Sequence, residues 1–146
     1  MLTIITPYLF VKRSILRYND NGDEMKSIRS EITRSLVIQK SEFIAIILPI
    51  FTEEDVDELL AKAKQQYPNA THYCYAYIYD QKKYCSDDGE PGGTAGIPIL
   101  TVLEKQALNH ILCIVVRYFG GIKLGAGGLI RSYATAAKEA ILNDRS

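Results

Sequence analysis

The stretch RYFGGIKLGAGGLIRSY, residues 117–133, holds five glycines and three cations, Arg117, Lys123 and Arg131. At a junction of strand and helix, glycine lets backbone N–H groups approach and grip an anion. Neither standard nucleotide signature fits. A Walker loop needs Lys and then Ser or Thr after its last glycine, and here Ala126 and Gly127 follow Gly125. The dinucleotide pattern would run Gly125, Gly127 and a third glycine, where Ile130 stands. What remains is a cationic patch around one turn, with Gly120, Gly121 and Gly125 allowing the backbone to come close to a partner. Arg131 falls in the first turn of the following helix, opposes its dipole, and so calls for an acidic partner.

Two partners are available to these cations. One is internal: the loop CSDDGEPGGTAGIP carries Asp87, Asp88 and Glu90, and a bridge to Arg117 or Arg131 would tie two loops together. The other is an external anion. The acidic loop lacks the alternating acids of an EF-hand and predicts no metal site, and Thr94 is placed to cap the helix that follows. No Ser-His-Asp or Cys-His arrangement stands out, so no catalytic residue is assigned. Cys74, Cys85, Cys113, His72 and His110 lack zinc-ligand spacing. The thiols read as inert, with Cys85 the most exposed, and no cofactor is implied.

A second surface is written in HYCYAYIYD. Tyr73, Tyr75, Tyr77 and Tyr79 alternate with Cys74, Ala76 and Ile78, which puts the four tyrosines on one strand face. An aromatic row on an open sheet can stack bases, although the basic-Gly start and final aromatic of the RNP1 motif are missing. The alternative is an amphipathic strand whose tyrosines shield an exposed sheet face.

The elements that must position these groups are regular. RSLVIQK and EFIAIILPI predict neighbouring strands, the second buried in part on both faces. TEEDVDELLAKAKQQYP predicts a helix with Val56, Leu59, Leu60, Ala63 and Tyr67 on one stripe. GIPILTVLEKQAL predicts another, with Ile99, Val102, Leu103 and Ala107 inward. HILCIVVRYF reads as a central strand, and a closing helix from about Gly128 turns Leu129, Tyr133, Ala137 and Ile141 inward. The order strand-strand-helix-strand-helix-strand-helix implies one sheet with helices on one face, a two-layer sandwich, leaving the tyrosine face partly open.

With 146 residues, 17 basic and 17 acidic side chains and a formal charge of zero, the chain is of one-domain size and lacks a generally cationic surface. No run reaches the ~20 apolar residues of a membrane span. These features predict a cytoplasmic protein with no membrane partner. The polar turn YNDNGDE before Met25 suggests that residues 1–24 are an extension outside the core and that the domain runs over 25–146.

SDDGEPGGTAGIPIL together with VVRYFGGIKLGAGGLIRSYATAAKEAI resembles the N-terminal domain of the IMPACT family, the YigZ-like proteins of bacteria. The hallmark runs through Val115, Val116, Arg117, Tyr118, Phe119, Gly120, Gly121, Lys123, Leu124 and Gly125, and KSEFIA and HYCYAY match its earlier strands. The resemblance implies an α+β fold, a mixed-sheet sandwich like domain 2 of ribosomal protein S5. It also implies that a ferredoxin-like second domain found in many relatives is absent from this stretch. Eukaryotic members are linked to translational control, and the resemblance carries no established catalysis.

Together these readings make the chain a non-catalytic binding domain linked to translation. It would contact RNA, the ribosome or an acidic protein through Arg117, Tyr118, Lys123 and Arg131. Two alternatives stay open: a small-molecule enzyme with a cleft between the acidic loop and the basic turn, and a pure protein-interaction module.

Overall fold

The computed structural model describes residues 10–11, 14–19 and 21–142. Its centre is a five-stranded sheet ordered β4-β5-β8-β6-β7. The strands are β4 (Ile32–Ile38), β5 (Ser41–Pro49), β6 (His72–Tyr79), β7 (Lys82–Ser86) and β8 (Ile111–Tyr118). Three helices, α1 (Asp55–Gln66), α2 (Gly96–Lys105) and α3 (Gly125–Leu142), complete the described core. The long apolar run read as a central strand is β8, hydrogen-bonded to β5 on one side and β6 on the other.

The α+β class is as the sequence implied, with two refinements. Every strand pair of this sheet is antiparallel, because β4–β5 and β6–β7 are tight hairpins and β8 runs against both of its neighbours. The helices divide between the faces. α2 and α3 cover the face built from Phe43, Ala45, Ile47, Cys74, Ala76, Ile78, Cys113 and Val115. α1 lies on the opposite face, over Ile44, Ile46, Leu48, Leu112, Ile114 and Val116, with the four tyrosines packed beside it. The reason is the alternation in β5 and β8, which is apolar on both sides. Two apolar faces both have to leave water, at about 25 cal/mol for each Å² removed.

The local signals hold well. Val56 and Ala63 are buried on α1, and Leu59, Leu60 and Tyr67 pack at its edge. Asp55, three residues after Thr52, accepts from the backbone N–H groups of Phe51 and Thr52 at 2.8 and 3.0 Å. The first of these bonds does most to hold the Asp55 carboxyl below its ordinary range. α2 buries Ile99, Val102 and Leu103 but ends at Lys105, so Ala107 is exposed instead of inward. α3 begins at Gly125, one turn earlier than expected, and brings Leu129, Tyr133, Ala136, Ala137 and Ala140 onto the sheet. There Tyr133 meets Phe43 edge-on at 5.2 Å.

A second sheet precedes the first, ordered β1-β2-β3, with β1 (Phe10–Val11), β2 (Ser14–Tyr18) and β3 (Glu24–Ile28). β2 belongs to the stretch read as an extension. It pairs with β3 over five residues, and Ile15 is buried; residues 1–9, 12, 13 and 20 of that stretch lie outside the described residues. Ile28 joins the main core, and Asn109 donates its N–H to the Lys26 carbonyl at 2.7 Å. Among the described residues no helix is long and apolar enough to cross a membrane.

Candidate functional site

β8 ends on Arg117 and Tyr118, which leave opposite faces of the sheet. Tyr118 goes to the α1 side and donates its hydroxyl to the carbonyl of Pro68 at 2.9 Å. Arg117 goes to the α2/α3 side and is buried there. Its Nη1 donates to Glu90 Oε2 at 2.7 Å and its Nη2 to Ser41 Oγ at 3.3 Å. The guanidinium lies between the rings of Phe43 and Phe119, 5.5 and 5.4 Å from their centroids. The Tyr133 hydroxyl of α3 donates to the same Glu90 oxygen. One buried carboxylate thus joins the acidic loop, β8 and α3.

The acidic loop is folded by its own carboxylates. Asp87 takes the capping role expected of Thr94: Oδ1 accepts from the N–H groups of Ala95 and Gly96 at 3.1 and 2.8 Å, and Oδ2 from Gly93 at 2.9 Å. Thr94 turns back instead and donates to the Pro91 carbonyl. Burial works against the charge on Asp87, but the three N–H groups outweigh it and hold its carboxyl below the ordinary range. Asp88 accepts from the Tyr73 N–H at 2.7 Å through its side chain.

The glycine-rich turn rests on the β4–β5 hairpin. Gln39 and Lys40 both have positive φ, 49° and 68°, as a two-residue primed turn requires. A Cβ on Gly120 would fall 1.9 Å from the Lys40 carbonyl oxygen, so no other residue fits there. The Gly120 N–H donates to Ser41 Oγ at 3.2 Å. Gly121 and Gly125 carry φ of +94° and +75° and turn the chain into α3.

Lys123 and Arg131 are exposed, and among the described residues neither has a carboxylate partner. They share a cavity of about 400 Å³ with Ile38, Gln39, Ile122 and Ser132. Lys123 also lines a second cavity of about 450 Å³, with His72, Glu90, Pro91, Arg117 and Phe119. The structure therefore brings Arg117, Lys123, Arg131, Glu90 and the glycines to one end of the sheet.

The tyrosines lie elsewhere, under α1. Tyr73 donates to the Tyr67 carbonyl, Tyr77 to Glu53 at 3.1 Å and Tyr79 to the Phe51 carbonyl at 3.0 Å. Tyr75 stands 5.9 Å from Tyr84, and burial pushes its hydroxyl up to about 12. Burial also pushes the Cys74 thiol up to about 12 and raises that of the fully enclosed Cys113, so neither is a thiolate nucleophile. Among the described residues no group of three or more His, Cys, Asp or Glu is gathered to hold a metal ion.

Sequence reasoning missed Ser41, His72 and Tyr133. Ser41 had a signal: a serine interrupting two apolar strand runs, beside a turn. Tyr133 was read as core filling, which it is, with a hydroxyl that also reaches Glu90.

The family model for the Impact N-terminal domain matches residues 39–141. The chain is 48% identical over 109 residues to the IMPACT family member YvyE of Bacillus subtilis, covering 73% of this chain and 50% of that one. It is 37% identical over 109 residues to the IMPACT family member YigZ of Escherichia coli, covering 71% and 53%. It thus spans about half the length of the curated relatives it matches. A crystal structure of a hypothetical protein superposes with a TM-score of 0.76 at 34% identity, over 80% of this chain and 59% of the other.

Proposed function

The chain belongs to the Impact N-terminal domain family, and from that premise we propose that it is a non-catalytic binding domain linked to translation, contacting RNA phosphate through its glycine-rich turn. The link to translation comes from the family resemblance. The contact is supported by one observation above the others: Lys123 and Arg131 are exposed, lack carboxylate partners among the described residues, and line one cavity beside the turn. Lys40 is exposed at the hairpin tip that Gly120 rests on, next in sequence to Gln39 of that cavity. Arg117 serves differently, since its charge is matched by Glu90 and its task is to hold the turn in place.

Phosphate contacts release counterions, so affinity should fall steeply with salt and depend weakly on base sequence. The test is binding of a fluorescent single-stranded RNA across a salt series, for the unchanged protein and a Lys123→Ala/Arg131→Ala variant whose circular dichroism matches it. Loss of about two counterions from the salt slope supports the reading. An unchanged slope, or no binding at low salt, overturns it and favours a protein partner.

A further inference from the structure

α2 and α3 lie side by side on the sheet, and the outer furrow between them is a cavity of about 430 Å³. It shares no residue with the two cavities at the glycine-rich turn. Each helix lends it a row of side chains four residues apart, the spacing that stacks them on one helical face. The α2 row runs from Ile97 to Lys105, and the α3 row from Ile130 through Lys138 to Leu142. The inner sides of both helices are buried on the sheet, yet Ile97, Ile130 and Leu142 remain 52%, 43% and 39% exposed. Apolar side chains gathered at one exposed place and rimmed by charge mark a surface that another molecule covers.

The charges decide which molecule. Lys105 and Lys138 are exposed, and among the described residues neither has a carboxylate partner. Glu104, beside Lys105, is taken up by Lys83 at 2.6 Å, and none of the residues lining the furrow is acidic. Lys105 complements the dipole in the last turn of α2, but Lys138 stands before the last turn of α3 and has no such role. A nucleic-acid backbone would answer the lysines and leave the isoleucines and leucine against phosphate and sugar. A wholly apolar helix would cover the two rows and leave both ammonium groups without a counter-charge. A helix with carboxylates beside an apolar stripe answers both. The α3 row from Ile130 to Leu142 rises about 18 Å, which matches about three turns of such a helix.

We propose that the furrow between α2 and α3 docks an acidic amphipathic helix of another protein. The apolar stripe of that helix lies between Ile97 and Ile130, and its carboxylates meet Lys105 and Lys138. The inference does not rest on the anion contact proposed above.

The test uses two designed helical peptides of about 14 residues with the same leucine stripe. Glutamates flank the stripe in one, lysines in the other. Each is titrated to about 1 mM into the full chain while the isoleucine and leucine methyl resonances are followed by NMR. The glutamate peptide should shift the methyls of Ile97, Ile130 and Leu142 and bind about tenfold tighter than the lysine peptide. Lys105→Glu/Lys138→Glu, with unchanged circular dichroism, should reverse that preference, and Ile97→Ser/Ile130→Ser should weaken both peptides. Equal binding of the two peptides, or a preference that survives the charge reversal, overturns the proposal. So does the absence of methyl shifts with either peptide. Single-stranded RNA shifting these same methyls where the glutamate peptide does not would make the furrow a nucleic-acid surface and overturn it too. Peptide docking without any RNA binding would keep this surface and overturn the contact at the turn.

Discussion

Arg117 and Glu90, 27 positions apart in the chain, meet at 2.7 Å with side chains only 6% and 3% exposed. Burying both charges is tolerable because each is further bonded, Arg117 to Ser41 and Glu90 to Tyr133. The pair is what keeps the acidic loop against the end of β8.

Arg117→Ala should therefore cost about 3–5 kcal/mol, since it strands a buried carboxylate. The paired replacement Arg117→Met/Glu90→Leu should recover most of that loss. Urea unfolding followed by tyrosine fluorescence measures both. If single and double variants are equally unstable, the ion pair is not what joins loop to strand.

Gly120→Ala should be far worse than Gly127→Ala. The first places a methyl 1.9 Å from the Lys40 carbonyl, a backbone atom; the second meets only the Arg131 guanidinium at 3.3 Å, the movable end of a long side chain. Thermal unfolding should show a loss of at least ~2 kcal/mol for Gly120→Ala and a near-neutral change for the other. Similar values for both would mean that the hairpin yields.

Asp87→Asn should cost about 1 kcal/mol at neutral pH, the worth of a good helix cap. The Asp87 carboxyl is held below its unfolded value of about 3.9. Its contribution is accordingly complete above that value and disappears as pH falls through the lower, folded one. The stability gap between the unchanged protein and the Asp87→Asn variant should be constant from neutral pH down to about pH 5 and shrink as pH falls below the unfolded value of about 3.9. A gap that persists in acid would assign the loss to packing rather than charge.

We propose that residues 25–146 are the folding unit and that residues 1–24 add to it. A chain starting at Met25 should keep the far-UV circular dichroism of the five-stranded sheet and helices, because Ile28 reaches the main core without help from β2. It should melt at lower temperature, since Ile15 no longer covers β3. Collapse of the spectrum would make the extension part of the core.

Much of the scaffold was legible in the sequence because its signals are local. The 3.6-residue stripe of α1, the alternation of β6 and the apolar run of β8 each report a burial pattern that one element sets by itself. The site was legible in composition but not in pairing. Glu90 had two candidate arginines in the sequence, and geometry chose between them: Arg117 points inward from the last inward-facing position of β8, whereas Arg131 lies on the solvent side of α3. Likewise, Thr94 had the right residue type and position for a cap, but Asp87 reaches the N–H groups at the start of α2 from across the loop.

By itself the sequence determined the helices, four of the five strands of the main sheet (all but β7), the central place of β8 and the glycine-rich turn, because these follow from the spacing of side chains along a few consecutive residues. Tertiary structure alone decided that α1 crosses to the tyrosine face, that the hairpin turn of Gln39 and Lys40 sits on Gly120, and that His72 and Glu90 line one cavity. Each of those depends on which surfaces meet after the chain has closed. Contacts such as Arg117 with Glu90 and Gly120 with Ser41, 27 and 79 positions apart, leave no period in the sequence to read.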